Sequence, residues 1–146
     1  MGWFSHTPTP TSSDTFNKQE AFLSIALATS AVDGSIDESE AKHIFAYLLQ
    51  MRMYEGYSNK QMSALFEKLV AVLKNEGVGG LVNIAKSSLP PELRETAFTC
   101  AVDIALADGV IEDSEKVLLE ELQQVLEVSD DLGARILEIM LIKNRG

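Results

Sequence analysis

Ala31-Val32-Asp33-Gly34-Ser35-Ile36-Asp37-Glu38-Ser39-Glu40 returns as Leu106-Ala107-Asp108-Gly109-Val110-Ile111-Glu112-Asp113-Ser114-Glu115, displaced by 75 residues (31 to 106). Asp33, Gly34, Ile36, Ser39 and Glu40 recur in register as Asp108, Gly109, Ile111, Ser114 and Glu115, while Asp37-Glu38 becomes Glu112-Asp113, an exchange between carboxylates. A chance acidic run does not also repeat a glycine and an isoleucine, so the pair marks an internal duplication. Further out, Ala26 falls on Ala101, and each acidic segment lies between two stretches of helical periodicity. The repeating unit is helix, acidic loop, helix.

Extending outward from the loops predicts the remaining elements. A first helix, from about Thr15 to Val32, carries Phe22, Ile25, Ala26 and Thr29 on one face, broadened by Leu23 and Leu27. A second, over Glu38–Met53, turns Ile44, Phe45, Leu48, Leu49 and Met51 inward, and Tyr54-Glu55-Gly56-Tyr57 breaks it. Ser58-Asn59-Lys60-Gln61 has the form of a capping box and opens a third helix with Met62, Leu65, Phe66, Leu69 and Leu73 on one face, ended by Gly77. A short fourth helix is expected between residues 78 and 87. Ser88-Leu89-Pro90-Pro91 starts the fifth, over Pro91–Ala107 (Phe98, Ala101, Val102 and Ala105 inward). The sixth covers Asp113–Val128 (Leu118, Leu122, Val125, Leu126), and Ser129 caps a seventh with Leu132, Ile136, Leu137 and Met140 inward. Strand-like alternation is lacking. The predicted fold is all-α, a compact bundle of about seven helices formed by two repeats, residues 15–76 and 90–146. A pseudo-twofold axis relates them, because each leaves an apolar face that its sibling covers. The first and fifth helices are apolar nearly all round and belong at the centre. Asp103 breaks that pattern, and its counterpart in the first repeat is Ala28.

A chain of 146 residues with 46% apolar residues suits one globular domain, here 15–146, behind a Thr/Pro-rich tail over residues 1–14 expected to be flexible. Trp3 and Phe4 in that tail are suited to pack back on the domain or to grip a partner. No apolar run reaches the roughly 18–20 residues of a membrane span, so direct membrane insertion is not expected. The N-terminal residues lack the form of a signal peptide, and a lone Cys100 permits no internal disulfide, so a cytoplasmic location is expected. A net charge of −10 argues against binding nucleic acid and against unaided attraction to an anionic membrane. The acids are concentrated. Residues 28–41 hold Asp33, Asp37, Glu38 and Glu40, and residues 103–115 hold Asp103, Asp108, Glu112, Asp113 and Glu115, neither with a single Lys or Arg. Something cationic is the natural partner.

Asp-Gly-x-Ile-x-x-x-Glu matches the later part of a calcium-binding EF-hand loop. In that mapping Asp33 and Asp108 are early ligands, Ser35 and Val110 offer carbonyls, and Glu40 and Glu115 are the terminal carboxylates. The first ligand positions then fall on Thr29 and Ala31, or Ile104 and Leu106, which do not ligate. These are not EF-hands; each loop holds half a cation site. Capping is the rival reading, and both stand. Asp37-x-x-Glu40 is itself a capping-box form, and acids in a first helical turn suit the helix dipole. Capping accounts for the acids beside the helix starts and leaves Asp33 and Asp108, four residues earlier, without a role.

Two such segments in an acidic helical chain resemble the TerB family of tellurite-resistance and stress-response proteins, with the likeness carried by Ala31–Glu40 and Leu106–Glu115. The resemblance implies a compact bundle of about seven helices and acidic residues that bind divalent metal. It also implies membership of a metal- and chemical-stress system with partner proteins at the inner membrane face. Carried over, it designates Asp33, Asp37, Glu40, Asp108, Glu112 and Glu115 as metal ligands. Carboxylate donors favour Ca²⁺ or Mg²⁺, with Zn²⁺ a further option.

Other constellations are thin. Glu40-Ala41-Lys42-His43 sets a carboxylate and an imidazole one turn apart, but the second copy has Leu118 at the matching place, which excludes a symmetric dimetal centre. Cys100 sits opposite Ile25 in the repeat and is expected to be a buried structural thiol. No Ser/His/Asp arrangement is spaced for catalysis, and Gly79-Gly80 has no lysine after it to cradle phosphate. The expected function is non-enzymatic: a divalent-metal-binding module of a tellurite or chemical-stress response. The alternative is a metal-independent scaffold whose acidic patch binds a basic partner.

Overall fold

The computed structural model describes residues 16–31, 36–107 and 111–145. Among these the chain is helical throughout: α1 (Lys18–Ser30), α2 (Glu38–Leu49), α3 (Asn59–Ser88), α4 (Arg94–Ala105), α5 (Asp113–Val125) and α6 (Asp130–Lys143), with single 3₁₀ turns at Arg52–Tyr54 and Pro91–Leu93. The expected third and fourth helices run on as one element, α3, broken at Gly77. There φ is 76° and ψ 175°, a conformation that glycine alone adopts without strain, so the axis changes course and the helix resumes.

Local chemistry sets the starts. Asn17, which the periodicity did not single out, opens α1 with a capping box: its Oδ1 accepts from Glu20 N at 2.8 Å, and Glu20 Oε1 accepts from Asn17 N at 3.0 Å. Ser58 and Gln61 make the predicted box at α3, and Ser129 Oγ accepts from Leu132 N at α6. The two prolines form the 3₁₀ turn ahead of α4 rather than its first turn.

The core confirms the expected centre. Ten consecutive residues of α1, Glu20 to Thr29, are buried, and in α4 Ala97, Phe98, Cys100, Ala101, Val102, Asp103 and Ala105 are buried as well. α1 packs on α2, α3 and α4, and α4 packs on α5 and α6. The neighbours of α4 therefore match those of α1, and the two apolar helices meet each other. Burying each large side chain of such a helix contributes about 1.5–3 kcal/mol. The buried polar side chains of α1 are partnered: Ser24 and Thr29 donate to backbone carbonyls one turn back, and the Glu20 carboxylate is met by Lys68. Tyr54 OH donates to Gln19 O at 2.7 Å, while Gln19 Nε2 donates to Met53 O at 2.9 Å, stitching the turn after α2 onto α1.

One inward assignment is corrected. Leu137 lies at the edge of the apolar stripe of α6, whose buried line runs through Gly133 and Ile136, and it is exposed.

Candidate functional site: an acidic cleft between two helix starts

α2 and α5 each begin immediately after an acidic segment, and their first turns wall one cleft of about 690 Å³. Glu40, His43 and Tyr47 come from α2, Glu112, Ser114 and Glu115 from the start of α5, Asp103 from α4, and Lys143 and Asn144 from the end of α6. Thr29 and Ser30 at the end of α1 close it. Carboxylates from both repeats thus share one rim.

At the rim the carboxylates are engaged with the helix ends. Asp37 Oδ1 accepts from Glu40 N at 2.8 Å, and Glu40 Oε1 accepts from Asp37 N at 3.1 Å. In the second repeat Glu115 Oε1 accepts from Glu112 N at 3.0 Å. Each N-terminus presents backbone donors and the positive end of its dipole, which favours the acids placed there. Capping of this form needs one oxygen of each glutamate.

The floor holds a different carboxylate. Asp103 is only 4% exposed. Tyr47 OH donates to its Oδ2 at 2.7 Å; Lys143 Nζ and Asn144 Nδ2 donate to its Oδ1 at 3.2 and 2.8 Å. Burial by itself would push the Asp103 carboxyl up. The hydrogen bonds from Asn144, Tyr47 and Lys143, with the charge of Lys143, prevail and hold it below the ordinary aspartate value. Asp103 is therefore ionised at neutral pH, a fixed negative charge beneath the rim. Burial and the bond to Asp103 push the Tyr47 hydroxyl far up, so it remains a donor. Cys100 nearby is buried as expected, and burial raises its thiol.

Of the six residues designated as ligands, Glu40, Glu112 and Glu115 line this cleft. Asp37 lies on the other side of the same helix start, in a second groove of about 680 Å³. Asp33 and Asp108 lie outside the described residues. His43, one turn from Glu40, is exposed and lines the cleft with it. Among the described residues no three His, Cys, Asp or Glu side chains are gathered closely enough to hold a metal ion. Sequence reasoning flagged Asp103 as anomalous but missed Tyr47, Lys143 and Asn144. The available signal was the anomaly itself: a carboxylate on an apolar helix requires donors from elsewhere.

With this geometry in hand, comparison with known families is decisive. The family model described as "Tellurite resistance protein TerB" matches residues 19–137, most of the chain. The chain belongs to the TerB family. The matched span takes in both acidic segments, the TerB cleft's Glu40, Tyr47, Asp103, Glu112 and Glu115, α1 from Gln19 onward and all of α2 to α5. Lys143 and Asn144, which close the TerB cleft from below, follow the end of that span. No curated protein and no solved structure matches the chain.

Proposed function

We propose that this TerB domain is a non-enzymatic module that binds a divalent cation in the cleft between α2 and α5, serving a tellurite or chemical-stress response in the cytoplasm. The observation that carries the reading is that Glu40 lines one cleft with Glu112 and Glu115, from two repeats, over the ionised Asp103 and its partner Lys143. A divalent cation entering this cleft would be met by carboxylates from both repeats. The donors are oxygens, with Ser114 beside them, which suits Ca²⁺ or Mg²⁺ before Zn²⁺. Asp33 and Asp108, adjoining the rim in sequence, complete the donor set in this proposal. Asp37 is assigned to the cap and to the neighbouring groove.

The test separates capping from ligation. Glutamine at the third helical position keeps the capping-box hydrogen bond but loses the charge. In chelator-stripped buffer, Ca²⁺ or Mg²⁺ at a hundred times its dissociation constant should stabilise the protein by about 2.7 kcal/mol, a Tm rise of roughly 5–10 °C. Glu40→Gln with Glu115→Gln should remove that rise and shift metal-free stability by less than about 1 kcal/mol. Unchanged melting with Ca²⁺, Mg²⁺, Mn²⁺ and Zn²⁺ alike would sink the reading.

A second reading, the metal-independent scaffold, draws on the other groove. Ile36, Ala41, Phe45 and Phe66 give it an apolar floor, with the two rings edge-to-face at 5.7 Å, and Asp37, Glu38 and Glu67 give it an acidic rim. Such a groove suits a stress-response protein, at the inner membrane face, that offers basic side chains around an apolar anchor. Its complex should persist in chelator, weaken with salt, and be lost on Asp37→Asn with Glu67→Gln. A pull-down indifferent to that double change excludes it.

A further inference from the structure

Five large apolar side chains stand out from the surface among the described residues, and all belong to the second repeat: Val117 on α5, and Leu137, Ile139, Leu141 and Ile142 on α6. Ile139 and Ile142 are each more than half exposed. A monomer scatters such residues singly, whereas four within six positions of one helix form a face. The buried residues Gly133 and Ile136, with Leu132 and Met140, turn to the core. At 3.6 residues per turn Leu141 and Ile142, with Ala134 and Glu138, fall on the side away from it, with Leu137 at one edge and Ile139 at the other.

The duplication shows what this face departs from. Ser58, which caps α3, corresponds to Ser129, which caps α6, a displacement of 71 residues (58 to 129). In that register Leu65, Phe66, Glu67 and Leu69 fall on Ile136, Leu137, Glu138 and Met140. Ile139, Leu141 and Ile142 then replace Lys68, Val70 and Ala71. In the first repeat Phe66 is half-buried and packs edge-to-face with Phe45, and Lys68 pairs with Glu20. The second repeat carries exposed Leu137, Ile139, Leu141 and Ile142 where its sibling carries a half-buried ring, a paired charge, a valine and an alanine.

We propose that the outer face of α6 pairs with the same face of a second copy of this chain, the two helices antiparallel about a twofold axis. Charge selects both occupant and direction. Copies carrying −10 each repel through most of their surface. Residues 129–145 are balanced, with Asp130, Asp131 and Glu138 against Arg135, Lys143 and Arg145, so this face does not add to that repulsion. The acids of that segment lead and two of its three bases trail. Parallel pairing would set like against like. Antiparallel pairing sets Asp131 toward the partner's Arg145 and Glu138 toward the partner's Arg135, extending the exposed Asp131–Arg135 pair of each chain, and opposes the two helix dipoles. An isologous contact of this kind closes at two copies.

Sedimentation equilibrium of the full chain in chelator, from roughly 10 to 500 µM, tests this apart from any cation, since an interface this small makes a weak dimer. The wild type should shift from monomer to dimer across the range. Leu141→Glu, at an exposed site, should raise the dimer dissociation constant about tenfold or more with helicity intact. Should that variant lose helicity, Ile142→Ser provides the same reading. Arg145→Glu should weaken the dimer, and adding Asp131→Arg should restore it. A wild type monomeric throughout, or a dimer indifferent to Leu141→Glu and Ile142→Ser, overturns the proposal. Failure of the charge exchange to restore association overturns the antiparallel arrangement.

Discussion

Asp103 shows how much one side chain can ask of a fold. Its two oxygens take three donors, from α2, from the end of α6 and from the residue after it. Replacing it with alanine takes the acceptor from the Tyr47 hydroxyl and one of two from the Asn144 amide, which also donates to Met140 O. Asp103→Ala should therefore cost about 2–4 kcal/mol, measured by urea denaturation. Lys143→Ala removes a half-exposed partner and should cost less than about 1 kcal/mol. The pH dependence follows from the direction of the shift. Because the folded-state value lies below the unfolded one, the stabilisation is complete above the ordinary carboxyl range. It disappears as pH falls through the lowered value. Asp103→Asn should accordingly flatten the acid limb of the Tm-against-pH curve while leaving its shape near neutrality; an unaltered acid limb would show that other carboxylates govern it. The anomaly at Asp103 was visible in the sequence, but its resolution was not. Tyr47 and Asn144 lie 56 and 41 residues away, and no local pattern links them.

Helices here begin and bend where single residues dictate, and that level was the most legible. Asp37, Ser58 and Ser129 were readable as starts, because a short oxygen-bearing side chain before an apolar periodic run has one common use. Gly77 was readable as a break, and what it breaks is one long element. A side chain added at Gly77 would meet nothing within 4 Å, so the demand is on the backbone alone. Gly77→Ala should cost roughly 1–3 kcal/mol, seen as a lower Tm with unchanged core packing. A neutral result would mean that the two halves of α3 can straighten without loss. The outward turn of Leu137 was not legible, because periodicity reveals a stripe but not where its edge meets solvent. Asn17 was missed for the opposite reason: its box with Glu20 lies just ahead of a helix apolar on every side, which has no stripe to point back to its start.

At the scale of the molecule, the duplication implies the architecture, since two units with apolar central helices have to bury those helices in each other. It also suggested that the two acidic segments would meet, and the first turns of α2 and α5 do wall one cleft. What the sequence could not give was the division of labour around each helix start. Glu40 faces the shared cleft, while Asp37, three residues earlier, faces the groove lined by Phe45 and Phe66. That separation predicts independent responses. Filling the groove by Ser63→Leu should leave cation-induced stabilisation intact while blocking any peptide that docks over Phe66, and loss of both together would show that the two surfaces are one.

The bond between Asp103 and the far end of α6 has a consequence for synthesis. A ribosome delivers Asp103 some forty residues before Lys143 and Asn144, the groups that make its burial tolerable. Until they emerge, the carboxylate on the central helix has Tyr47 but lacks two of its three donors, so its burial is completed only when α6 has left the exit tunnel.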